Sequence, residues 1–147
     1  MANLSREKVD EDLYLVMRTI FHYERGLESQ FGLGYEEIYV LQYLRRNPKA
    51  HLFEISEELN LPMFKCSRLV SRLVERKLVS KSQDKEDRRG IQIVLLPDGE
   101  KMVQRIEDFS FERVNKNLHA MGTEDTTRLL TTIEKLPIWL GISEKIK

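Results

Sequence analysis

The chain is short of nearly everything that marks an exported, membrane-bound or metal-dependent protein. It has a single cysteine, Cys66, among 147 residues, so no internal disulfide can form and a reducing, cytoplasmic home is expected. No stretch approaches the roughly 18 apolar residues that a membrane span requires. The first residues, Met1 to Glu7, lack the apolar core of a secretory signal. The histidines, His22, His51 and His119, stand far apart with no Cys or His at ligand spacing, so structural or surface roles are expected and no metal site. There is no Gly-rich phosphate loop, nucleophile motif or paired-carboxylate motif. An enzyme reading therefore has nothing to stand on, and no cofactor is expected. Net charge is absent too, at +0, which at first sight speaks against a polyanionic partner.

The distribution of charge matters more than its sum. From Pro62 to Gly90 there are nine Lys or Arg and four acids, so this segment carries +5 and the remainder −5. A neutral protein arranged this way can still turn one positive face to phosphates, although the same charges would also serve as plain solvated surface. Hydrophobic residues at 41% and charged residues at 33% fit a globular chain of one domain.

Apolar residues at Val9, Leu13, Val16, Met17, Ile20, Phe21 and Leu27 fall at helical spacing, which predicts a helix from Ser5 to about Ser29. Gly32 and Gly34 break it. A second helix is expected from Tyr35 to Arg46, stopped by Asn47-Pro48. A short third follows over Leu52 to Asn60, and a fourth from Pro62 to about Lys77. The period then changes. Leu78–Ser82 and Gly90–Leu95 read as two short strands joined by a charged connection, Gln83 to Arg89. A long helix opens at Pro97-Asp98, and a last one begins near Thr123, expected as its N-cap, with Pro137 as an interruption. The fold expected is mainly α with a small β-hairpin wing. Residues 35–96 form a winged helix-turn-helix lobe, with helical segments 1–31 and 97–147 as a dimerisation lobe.

On the fourth helix, Cys66, Leu69, Val70 and Leu73 share one face, and Lys65, Arg68, Arg72 and Arg76 form a basic ridge flanked by Ser67 and Ser71. A helix about 10–12 Å across fits the major groove, where arginine grips guanine and serine suits base or phosphate. On the hairpin tip, Arg88 and Arg89, with Lys85, stand where a wing reaches the minor groove, and Asp87 is placed to hold a guanidinium fork. A winged module for protein or RNA remains the competing reading of the same charges.

These residues carry a family likeness. Ser67-Arg68-Leu69-Val70-Ser71-Arg72-Leu73, Leu78-Val79, Asp87-Arg88-Arg89 and Leu95-Leu96-Pro97-Asp98-Gly99 resemble the multiple-antibiotic-resistance regulator (MarR) family, and the helix order extends the resemblance over nearly the whole chain. Two positions depart from it: Lys77 stands where the family usually has Gly, and Leu96 where it usually has Thr before the Pro. The resemblance implies a homodimer whose first, fifth and sixth helices interlock, binding a pseudo-palindromic operator in double-stranded DNA, usually as a repressor. It also implies release by a small phenolic or similar aromatic effector, or by oxidation. The apolar residues Met17, Phe21, Leu130, Ile133, Ile138, Trp139 and Leu140 agree with a dimer. Where the family has an effector pocket, Arg18, His22, Tyr39 and Tyr43 are the candidates to line it. Cys66 is the candidate redox residue, although its inward face argues for a small buried hydrophobe.

Overall fold

Ser5 starts the first helix by accepting the Lys8 amide on its hydroxyl (3.2 Å), and Gly32 ends it in a left-handed conformation with φ 66°. The computed structural model describes residues 3–87 and 90–142. The elements run α1 (Arg6–Phe31), α2 (Tyr35–Arg46), α3 (Leu52–Leu59), α4 (Met63–Glu75), β1 (Val79–Gln83), β2 (Ile91–Leu95), α5 (Pro97–Met121) and α6 (Thr123–Trp139). This is the mainly helical, hairpin-winged architecture that the sequence predicts. The chain divides into two compact units, Met1–Ile106 and Glu107–Lys147, so α5 contributes to both and α1 clusters with the winged helix.

In the first unit the apolar faces of α2, α3 and α4 meet the root of the hairpin. Ile38, Leu41, Leu44, Ile55, Leu69, Leu73, Ile93 and Ile106 are fully buried, each worth about 1.5–3 kcal/mol over exposure. Only the end of α1 joins this core, through Leu27 and Phe31; Met17, Ile20 and Phe21, on the same predicted stripe, are exposed. β1 and β2 pair antiparallel, Val79 opposite Leu95 and Gln83 opposite Ile91. The Ile93 amide donates to the Ala50 carbonyl (3.0 Å) and His51 bridges to Gln92, which ties the hairpin to the α2–α3 connection.

Helix α4 ends in a Schellman turn: the Lys77 amide donates to Val74 (2.9 Å) and the Leu78 amide to Leu73 (3.0 Å). This turn needs a left-handed residue, and Lys77 supplies it at φ 61°. Gly99, in the first turn of α5, packs on backbone: a Cβ there would lie 2.1 Å from the Leu78 carbonyl oxygen.

The second unit has no buried residue among those described. Two expectations are corrected here. Gly122, not Thr123, is the N-cap of α6, because Thr123 already has a helical backbone. Pro137 does not interrupt α6 but lies within it, two residues before its end at Trp139, where little helix remains to be kinked. No helix among the described residues is long and apolar enough to cross a membrane.

Candidate nucleic-acid interface

Helix α4 is fixed by its back. Cys66, Leu69, Val70 and Leu73 are all buried, as their spacing predicts. Positions two residues before these lie about 200° around the helix, so the outward strip is Phe64, Ser67, Arg68 and Ser71. Phe64 is 62% exposed, in the first turn of the helix. Arg68 and Lys65 are exposed with no ion pair or side-chain hydrogen bond among the described residues, while Ser67 and Ser71 are half-buried. Lys81 reaches from β1 to donate to the Ser71 hydroxyl oxygen (3.0 Å), which adds a cation to this strip from the wing side. A shallow groove of about 280 Å³ runs along its other flank, lined by Glu36, Leu61, Lys65, Arg68, Leu69 and Arg72.

The basic ridge divides. Arg72 lies 3.6 Å from the Glu37 carboxylate of α2, and Arg76 donates to the Gly32 carbonyl oxygen at 2.7 Å. Both are anchored toward the α1–α2 turn, on one flank of the outward face. Lys65 and Arg68 keep open solvent in front of them. Of the wing, Lys85 is exposed. Asp87 is half-buried, its amide donating to the Asp84 carboxylate (3.4 Å) and its carbonyl accepting from Gly90 (3.0 Å). Arg88 and Arg89 lie outside the described residues.

The effector candidates fall into two groups. Arg18 and His22 are exposed on α1, the His22 ring edge-on to Phe21. Tyr39 on α2 donates its hydroxyl to Glu58 (2.5 Å), and burial together with that carboxylate pushes its pKa up to about 12. Burial, then Glu58, Glu54 and Glu57, raise Tyr43 as well. The tyrosine site is therefore acidic, a surrounding that sequence spacing did not reveal. Cys66 is fully buried, its thiol directed at the Leu52 carbonyl (3.8 Å), and burial pushes its pKa up. A thiolate, which oxidation requires, is disfavoured there.

Sequence reasoning did not place Phe64 and Lys81 at this strip. Phe64 lacked a charge to draw notice, though its spacing from Arg68 and Ser71 placed it on the strip. Lys81 was visible only as one of the basic residues of the region.

Residues 31–90 match the MarR family model, the segment from the end of α1 to the wing. Over that segment the chain is similar to the MarR family. A relative by sequence is the uncharacterized HTH-type transcriptional regulator YsmB of Bacillus subtilis (strain 168), 26% identical over 98 residues, which are 67% of each chain. Among solved structures, FabT of Streptococcus pneumoniae in complex with DNA superposes with a TM-score of 0.78 at 16% identity, over 97% of this chain and 100% of that one. A MarR family protein from Bacillus stearothermophilus gives 0.78 at 18% identity, over 94% and 99%. At these identities the structures establish the MarR fold, a winged helix between long flanking helices.

Proposed function

We propose that this protein is a transcriptional regulator that binds double-stranded DNA sequence-specifically, as a homodimer on a pseudo-palindromic operator, and represses the gene it controls. The observation that carries the reading is the outward strip of α4, where Phe64, Ser67, Arg68 and Ser71 stand on a helix whose opposite face is sealed into the core. In the major groove Arg68 grips a guanine edge, Ser67 and Ser71 meet bases or phosphates, and Lys65 and Lys81 neutralise the backbone. Lys85, Arg88 and Arg89 belong to the wing that follows the adjacent minor groove. Arg72 and Arg76 act at the edge of the contact, held by Glu37 and Gly32.

The homodimer is supported by apolar side chains that the described chain leaves uncovered: Leu130, Ile133, Ile138 and Trp139 on α6, and Met17 and Phe21 on α1. A two-fold axis between such helices sets two recognition helices roughly 34–36 Å apart, one turn of duplex. Release by a small aromatic effector belongs to the same reading; beside Tyr39 and Tyr43 the three glutamates favour a neutral or cationic ring over a carboxylate. The protein works where the chromosome is, in the cytoplasm.

Fluorescence anisotropy with the duplex upstream of its own gene, across a salt series, tests this. Log affinity should fall linearly with log salt, by about 0.9 for each phosphate neutralised. Arg68→Ala should weaken the preferred duplex by about 1–3 kcal/mol and random duplex far less, and Arg89→Ala should reduce the salt slope by about one unit. Salt-independent association, or tight binding to RNA alone, overturns the proposal.

A further inference from the structure

His51 lies at the N-terminus of α3, where the wing returns to the body of the lobe. Its two ring nitrogens each face a carboxylate oxygen: Nδ1 is 2.9 Å from Glu54 Oε1, and Nε2 is 2.6 Å from Asp84 Oδ2. A neutral imidazole has one N–H, so it can donate to only one of them and turns a lone pair on the other. Both contacts are hydrogen bonds only when the ring is an imidazolium.

Neither carboxylate can resolve this by holding the proton itself. The Asp84 side chain accepts the amides of Glu86 (2.9 Å) and Asp87 (3.4 Å), and those bonds together with His51 hold its pKa down. Glu54 accepts the His51 ring and the His51 amide (3.0 Å), which hold its pKa down as well. The ring has close neighbours on two further sides. Phe53 stacks on it at 5.5 Å, and Gly90 leaves no room, since a Cβ there would lie 2.5 Å from the ring. An open cavity of about 550 Å³ beside it is lined by Lys49, Lys85 and Glu86 among others. The two lysines oppose a charge on the ring and Glu86 favours it, but the carboxylates are in direct contact and dominate.

We propose that His51 is the positioning residue of the wing: as an imidazolium bridging Glu54 and Asp84, it fixes the root of the wing loop at Asp84 and Gly90, so that duplex affinity falls as the pH rises. This rests on the DNA-binding reading above. The hydrogen bonds to Glu54 and Asp84 raise the His51 pKa above its ordinary 6.5. The bridge is therefore complete below 6.5 and lost as the pH rises through the raised value. On the acid side it fails only when the carboxylates protonate, below their ordinary 4.5 and 3.8.

Two measurements on the full-length protein decide this. An NMR titration of the His51 ring without DNA should give a midpoint above 6.5, and Asp84→Asn should lower it. Anisotropy with the upstream duplex from pH 6 to 9 at fixed salt should show wild-type affinity falling by about threefold or more, the size of a modest coupling between sites. His51→Gln should be weaker at low pH and flat across the range, with His22 and His119 still present. Asp84→Asn, which keeps the shape of the side chain, should move the fall to lower pH. A purely structural role lowers affinity at every pH alike. A His51 midpoint at or below 6.5, or a wild-type pH slope retained in His51→Gln, overturns the proposal. Failure of every variant and the wild type to bind duplex overturns the DNA-binding reading instead, and the NMR titration then still decides the state of the bridge.

Discussion

The two units of this chain bury their side chains very differently. Met1–Ile106 contains every buried hydrophobic residue among those described, whereas from Glu107 onward none is buried, although Leu129, Leu130, Ile133, Ile138, Trp139 and Leu140 are all apolar and exposed. Helix α6 nevertheless has helical spacing, an acidic first turn and regular backbone bonding. One unit thus supplies its own core, and the other has the sequence of a packed helix without the packing. In water such a segment is marginal alone, since helical stability comes largely from burying an apolar face. The contrast is why association is proposed to draw on the second unit and recognition on the first.

Breaking that contrast should have its largest effect at α6. The double substitution Ile133→Asp, Trp139→Asp removes about 2 kcal/mol or more of burial per side chain in each protomer. Dimer association should weaken on the order of a thousandfold or more, seen by sedimentation, with the NMR signals of the first unit's core retained. Persistence of the dimer would mean that another surface holds it. Next in size is Gly99→Ala, in the first unit, where the new Cβ would meet the Leu78 carbonyl at 2.1 Å. A loss of about 2–3 kcal/mol in urea unfolding is expected.

Smaller still is Phe64→Ala, which should leave association untouched and weaken the preferred duplex by about three- to tenfold, the worth of a methyl contact or two. Replacing individual thymines of that duplex by uracil should reproduce the loss at one position in wild type and add nothing in Phe64→Ala. The smallest change sharpens the comparison from the stable side. Lys77 holds φ 61° with a side chain, so Lys77→Gly should stabilise the first unit by about 1 kcal/mol, read as a shift in urea midpoint.

Much of this was legible in the sequence because it is periodic. The spacing of Cys66, Leu69, Val70 and Leu73 gave the buried face of α4, and the change of period at Leu78 gave the hairpin. The strain at Lys77 followed from a non-Gly residue in a position that a helix-ending turn reserves for Gly. What escaped was long-range or chemically silent. Arg72 and Arg76 read as part of one ridge, since nothing local shows that Glu37 and the Gly32 carbonyl will meet them. His51 read as a lone histidine because Asp84 is 33 positions away and polar contacts across such a gap leave no periodic trace. The stripe on α1 could not tell Leu27, which is buried, from Ile20, which is exposed, because helical spacing looks the same in both cases.

The fastening of β2 to the α2–α3 connection has one more consequence. With the Ile93 amide committed to Ala50 and Ile93 itself fully buried, a slip of one residue would turn that side chain to solvent. Asp84 and Gly90 are held as well, the Asp84 amide donating to the Gly90 carbonyl (3.0 Å) and His51 touching Asp84, so freedom begins only past them. The finger can therefore be lengthened, shortened or rewritten at its end while its attachment stays put. On the proposed function, variation in which duplex is preferred would have room to accumulate there without a toll on folding.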